Sequence, residues 1–245
     1  MVNKSYAGLM TDILNLSRSP VAVVFLPSGS SIPDGYREDL SLTYCQSVMM
    51  AQKGEKLAVT ADNISCANGA AALGLRPLPD KIARGEMIYS LGVLADPVYG
   101  ANLSNQTPRV PQEQYSAILL APLDSADFEP DVVIVQGSPY DIMWLVMADN
   151  YRKGNRASFS TAVSQGLCVD VTAIPWLRQE INISLGCYGS RNATDEQAEE
   201  MLIGIPFAQL PEIIEALPKL NEKVMERTKK KTAYQRLADK LERKS

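Results

Sequence analysis

The chain has 245 residues, 46% of them hydrophobic, and a formal charge of −4, which suits one large globular domain or two small intertwined halves. No apolar run approaches the roughly 18 residues a membrane span needs, and the opening segment carries no signal-peptide core, so a cytoplasmic protein with no membrane partner is expected. Histidine is absent, which excludes a Ser-His-Asp triad, a Cys-His dyad, haem held by imidazole and every zinc site that needs it.

Residues 6–16 read as a short amphipathic helix ended by Arg18-Ser19-Pro20. Residues 20–26 are an apolar run of strand length, closed by Pro27, Ser28 and Gly29. After a polar loop, 44–53 reads as a helix stopped by Gly54, 56–60 as a short strand, and the alanine-rich 67–73 as a helix closed by Gly74. The stretch 76–111 is dense in Pro, Gly and Asn and is expected to be loop with one short helix near 81–89. Strands are expected at 115–121 and 131–136. Ser138, with Pro139 in the first turn, caps a helix that runs to about Arg152 and ends at Gly154. Residues 157–161 are a further strand candidate. Gly166-Leu167-Cys168 lead into a helix or turn reaching Pro175, and 180–185 alternate as a strand. Thr194 is expected to cap a helix through Leu202, with Glu196 and Gln197 near its start. Helices dominate from Leu210 onward, broken at Pro211 and Pro218. The fold expected is therefore α/β: a mixed sheet with flanking helices over 1–208, followed by a helical basic tail over 209–245.

Two stretches match as copies of one βαβ-like unit, about 18–110 and 111–208. The first runs strand, helix to Lys53-Gly54, strand, then Cys66 before a helix. The second runs strand, helix to Lys153-Gly154, strand, then Cys168 before a helix. Chance recurrence of a common unit is the alternative. Charge divides unevenly: the last 27 residues hold ten Lys or Arg against four Asp or Glu, leaving 14 against 24 in the body. An acidic body repels nucleic acid phosphates, so no nucleic-acid partner is expected. The tail (Lys229, Lys230, Lys231, Arg236, Lys240, Arg243, Lys244) is a solvated helix or a handle for an acidic partner.

The four cysteines, Cys45, Cys66, Cys168 and Cys187, include no CxxC pair, which weakens a zinc-knuckle reading. Each sits among small or polar residues, and Cys45, Cys66 and Cys168 are expected at helix starts, where free amides and the dipole favour a thiolate. Gly186 and Gly189 flank Cys187 and expose amides able to donate to sulfide. If the halves pack about a pseudo-twofold, each contributes two cysteines to one centre. Four thiolates match the demand of a [4Fe–4S] or [2Fe–2S] cluster. Zn(Cys)4 is the inorganic alternative, and buried inert thiols in a metal-free binding or accessory module is the other; a reactive cysteine pair in thiol redox enzymology is a third. Gln46 is a candidate donor to sulfur, and Arg191 a candidate for offsetting cluster charge. Arg109 sits in a loop from which it could reach a pocket, and Ser138-Pro139-Tyr140 resembles a βα loop of the kind that binds ligands, although helix capping alone explains Ser138. No phosphate-binding glycine signature is present. Met49, Met50, Met143, Met147, Trp144 and Trp176 read as packing residues.

Taken as a set, Pro20-Val21-Ala22-Val23, Tyr44-Cys45-Gln46, Ile64-Ser65-Cys66 with Gly69 and Leu73-Gly74-Leu75, Ala121-Pro122-Leu123, Glu129-Pro130-Asp131-Val132-Val133 and Gly186-Cys187-Tyr188-Gly189-Ser190-Arg191 resemble the DUF169 (ArCR) family, common in methanogens and other anaerobes. The resemblance runs through about Pro206 and leaves out the tail. It implies an anaerobic setting, which favours an iron–sulfur centre, most readily [4Fe–4S], over zinc. The expected role is redox or electron transfer, cluster-assisted chemistry or redox sensing, with a redox partner protein or a small molecule as the counterpart.

Overall fold

The computed structural model describes residues 2–162 and 164–242. Six strands form one sheet in the order β2-β3-β1-β4-β6-β5: β1 (Val21–Pro27), β2 (Leu57–Thr60), β3 (Tyr115–Pro122), β4 (Val132–Gly137), β5 (Asn182–Ser184) and β6 (Met201–Pro206). Every adjacent pair runs antiparallel. The fold is α/β with flanking helices and a helical C-terminal stretch, as the sequence predicts. The sheet is wholly antiparallel where a mixed one was expected; the parallel bridges among the described residues are isolated from the strand pairings, Arg37 with Leu57 and Leu42 with Ile64.

The near-continuous apolar character of β1, β3, β4 and β6 follows from burial on both faces. One face, carrying Val21, Val23, Phe25, Ile118, Leu120 and Ile134, packs under α2 (Tyr44–Gln52), α3 (Ala67–Ala72) and the π-helical run Gly166–Ala173, which continues into α8 (Ile174–Arg178). The opposite face, carrying Ala22, Val133, Val135, Ile203 and Ile205, packs on α1 (Val2–Leu14), α7 (Pro139–Asp149) and α10 (Leu210–Leu220). Three of the four cysteines lie in or cap helices of the first face; the fourth, Cys187, caps α9 (Tyr188–Ala193), which packs on α2.

The connectivity of the two halves repeats. In each, the middle strand of three comes last in the chain: β3 enters between β1 and β2, and β6 between β4 and β5. The matching order is a cysteine-bearing helix, a strand, a cysteine-capped short helix and the inserted strand. Cys45 on α2 thus corresponds to Cys168 on the π-helical run, and Cys66 capping α3 to Cys187 capping α9. The sequence pattern had paired Cys66 with Cys168 instead, because it took 157–161 as a strand. That segment is irregular: the Asn182 side chain accepts from Ser160 N–H at 2.8 Å and donates to Ser160 O at 2.8 Å. A side-chain amide there stands in for the strand partner.

Other elements also differ from expectation. The loop 76–111 holds three helices, α4 (Asp80–Ala83), α5 (Glu86–Ser90) and α6 (Pro97–Gln106). In the last of these, Asp96 caps and Pro97 occupies the first turn, a start signal hidden by the surrounding Gly and Asn. Thr194 closes α9 where it was expected to open a helix; residues 195–200 are irregular, and Met201 and Leu202 begin β6, whose pairing with both β4 and β5 outweighs local helix propensity. Pro211 and Pro218 do not break α10. Pro211 sits in the first turn, where its missing N–H costs nothing. Pro218 is accommodated as the helix continues through π-helical Asn221–Met225 into α11 (Glu226–Lys229). Met143 and Met147 are exposed on α7, whereas Trp144 is buried and Trp176 packs on Phe25 and Tyr115. The tail ends in α12 (Thr232–Glu242), whose side chains are largely exposed; Arg243 and Lys244 lie outside the described residues. No helix among the described residues is long and apolar enough to cross a membrane.

Candidate functional site

The cysteines sit where helices begin. Thr43 caps α2: its Oγ1 accepts from the Gln46 N–H at 3.2 Å, and the Gln46 Oε1 accepts from the Thr43 N–H at 3.0 Å. This places Cys45 in the first turn. Cys66 is itself the cap of α3, its Sγ accepting from the Gly69 N–H at 3.4 Å. Cys187 caps α9 in the same way, with the Ser190 N–H donating to Sγ at 3.3 Å and the Cys187 N–H donating to Ser190 Oγ at 3.1 Å. Sulfur replaces the oxygen usual at a helix cap, and two thiols thereby receive amide donors. Cys168 lies in the π-helical run, its thiol directed at the Gln165 carbonyl, 3.8 Å away. π-Helical turns occur often at functional sites, and this one starts at Gln165, held at φ 61°.

All four cysteines line one cavity of about 210 Å³. Met87, Ile88, Leu91 and Val93, from α5 and the turn after it, supply an apolar wall, and Asn68, Ser164 and Gln165 supply polar edges. The two long cysteine helices are tied directly: Tyr44 Oη donates to Thr172 Oγ1 at 3.0 Å, and Thr172 Oγ1 donates to the Leu167 carbonyl at 2.8 Å. Among the described residues, no three Cys, Asp or Glu side chains are grouped tightly enough to hold a single metal ion.

Burial pushes the Cys45 thiol up, with the neighbouring Cys187, Cys66 and Glu196 adding to it. Burial also pushes the Cys168 thiol up, with Cys45, Cys66, Cys187 and Asp170 contributing. The thiols are thus near enough to repel one another as thiolates. At neutral pH and without a cation, Cys45 and Cys168 are protonated and poor nucleophiles, which disfavours the thiol redox reading.

The supporting residues divide. Gly189 lines the cavity. Gln46 does not donate to sulfur: its oxygen closes the α2 cap and its Nε2 donates to the Ala193 carbonyl at 3.3 Å. Arg191 points away from the thiols and clamps backbone, donating to the carbonyls of Gln197 (2.6 Å), Leu185 (2.8 Å) and Glu200 (3.0 Å), and it pairs with the buried Glu196 at 3.3 Å. Gly186, at φ +78°, leaves room for that carboxylate: an added Cβ would overlap Glu196 Oε1. Ser138 is a helix cap reciprocated by Asp141. The sequence did not single out Glu196, Asn68, Gln165 or the apolar wall. The signal for Asn68 and Gln165 was their placement near Cys66 and Cys168; Met87 and Ile88 fall in the short helix expected near 81–89, and Leu91 and Val93 in the loop after it.

Asp170, next but one to Cys168, is buried, and burial raises its carboxyl to about 6 although Thr161 and Ser184 donate to it at 2.6 and 2.7 Å. A folded-state value above the unfolded one means the native state binds the proton more tightly. Stability then rises as pH falls through 6 toward 4, by roughly 3 kcal/mol at most. Asp170→Asn is expected to flatten that window and to stabilise the chain at pH 7, as urea titrations across the range would show. An unchanged slope would place the proton elsewhere.

The sequence matches the DUF169 family, described as uncharacterised ArCR, over residues 9–216. It is 33% identical over 214 residues to uncharacterized protein MJ0308 of Methanocaldococcus jannaschii, covering 86% of this chain and 91% of that protein. No solved structure matches. The match takes in all six strands and the four cysteines and stops before α11 and α12, and on these two matches the chain belongs to the DUF169 family.

Proposed function

We propose that Cys45, Cys66, Cys168 and Cys187 bind one iron–sulfur cluster, most readily [4Fe–4S], in a cytoplasmic protein of anaerobic metabolism with a redox or electron-transfer role. The observation that carries the reading is that four thiols far apart in the chain line a single cavity. Their chemistry fits: four thiolates are the ligand set of such a cluster, and amides of Gly69 and Ser190 already donate to two of the sulfurs. A bound cluster supplies reversible one-electron chemistry. The chain's own residues hold the thiolates, and the apolar wall of Met87, Ile88, Leu91 and Val93 limits water around them. Zinc would draw all four sulfurs to about 2.3 Å from a common centre, a tighter grouping than the described residues present. In a cluster each thiolate bonds its own iron, so the sulfurs stand further apart.

The test is anaerobic purification and reconstitution with ferrous iron and sulfide, followed by elemental analysis. Iron and acid-labile sulfide in equal, near-fourfold amounts per chain are expected for [4Fe–4S]. A colourless protein holding neither removes the reading, and stoichiometric zinc selects the other metal.

A further inference from the structure

A second cavity adjoins the thiol cavity. Asn68, Met87, Ile88, Ser164 and Gln165 line both, so the two meet along α5 and the start of the π-helical run. The second is a narrow arm with about 20 Å³ of space, enough for one water-sized group, and Arg109 lies on it. Arg109 is the cation of this arm, and no carboxylate neutralises it among the described residues. Its Nη2 donates to the Ser104 carbonyl at 2.8 Å and to Ser104 Oγ at 3.0 Å, and its Nη1 to the Thr107 carbonyl at 3.3 Å. These groups lie at the C-terminal end of α6, which offers only about half a negative charge. The Nε–H is buried with no partner, and burial without an acidic neighbour lowers the affinity of the guanidinium for its proton. The Nε–H offers the arm no surface of its own, so what an anion in the arm would offset is the unneutralised charge of the guanidinium. The Asn68 side-chain amide, on the wall shared by both cavities, makes no hydrogen bond to a described residue.

We propose that this arm binds the anionic end of a small oxyanion ligand, a carboxylate or an inorganic oxyanion, with Arg109 as its counter-charge and Asn68 as a hydrogen-bond donor. The body of the ligand then extends into the wider chamber beside the four cysteines. The inference deepens the cluster reading by giving the site a substrate class, and it rests on that reading only for the ligand's chemistry, not for its binding. Arg109 is rigidly held by three hydrogen bonds, so the site is preorganised. One oxygen fits the arm, whereas a bulky or apolar end does not.

The experiment is calorimetric titration of the full chain with acetate, inorganic phosphate and sulfate, each at low ionic strength, alongside iron and sulfide analysis of the same samples. Native protein is expected to bind at least one of the three saturably at millimolar concentration or below. Arg109→Gln should weaken that binding tenfold or more and Asn68→Ala severalfold, with unchanged thermal unfolding and unchanged iron content. Arg152→Gln, an exposed cation in the turn after α7 paired with Glu215, should leave it unaltered. No saturable binding by native protein, or equal weakening by Arg109→Gln and Arg152→Gln, overturns the proposal. If Arg109→Gln proves unstable, Arg109→Met is the readout: it keeps the aliphatic stem and removes the charge, so undiminished binding also overturns the proposal. Loss of iron with anion binding retained counts against the cluster and leaves the anion site standing.

Discussion

Gly204→Ala is expected to destabilise the fold by about 3 kcal/mol or more, a fall in Tm of roughly 10 °C for a chain of this size. Gly204 lies in β6 between Ile134 of β4 and Asn182 of β5. The π-helical run crosses directly above it. An added Cβ would overlap the Val171 carbonyl oxygen and lie 2.7 Å from Pro175 Cγ. The obstacle is backbone, so relief requires the helix to move off the sheet. That helix carries Cys168, and its displacement pulls one thiol from the cavity. The variant should therefore lose iron-binding capacity along with stability. Gly8→Ala is the matched control: an added Cβ in α1 meets nothing, and helix propensity favours alanine by up to about 1 kcal/mol. Equal stability of the two variants would show that the close approach is not maintained in solution.

The second large effect is on the cysteines. Each of the four single Cys→Ser variants is expected to lose most of its bound iron, because an alkoxide is a poor substitute for a thiolate on a soft metal centre. The metal-free fold should change little, since the cavity that receives the side chain is already there. Were the thiols packing residues only, iron content would be low and equal in all five proteins. In the metal-free native chain, Cys168 should alkylate more than tenfold slower than a free thiol at pH 7, because burial keeps it protonated. Bound iron should protect all four. Rapid alkylation of one cysteine alone would favour thiol chemistry in place of a cluster.

Much of the fold was legible from local signals. The strand runs at 20–26, 115–121 and 131–136 are apolar, bounded by turn residues and central in the sheet, and Ser138-Pro139 marks its helix start unambiguously. The errors fall where tertiary context decides. Residues 201–206 became a strand because two neighbours were available to pair with it. Residues 157–161 did not; there the Asn182 side chain takes up the backbone N–H and C=O of Ser160. That same error put the repeat out of register, since without a strand at 157–161 the partner of Cys66 is Cys187. The site was legible as a set of four thiols but not as a cavity. Cys187 was not read as a helix cap because sulfur is a rare cap, and the wall from Met87 to Val93 was hidden in a Pro- and Gly-rich stretch. Arg109 was visible as a loop arginine; its unmade Nε–H bond is a property of burial that no sequence pattern carries.

Iron K-edge X-ray absorption of the anaerobically reconstituted chain tests the central claim most directly. A coordination shell made only of sulfur, with iron neighbours beyond it, is the predicted spectrum, and it should vanish in the Cys168→Ser variant. A first shell of oxygen or nitrogen, or iron without an iron neighbour, would contradict a cluster held by these four cysteines.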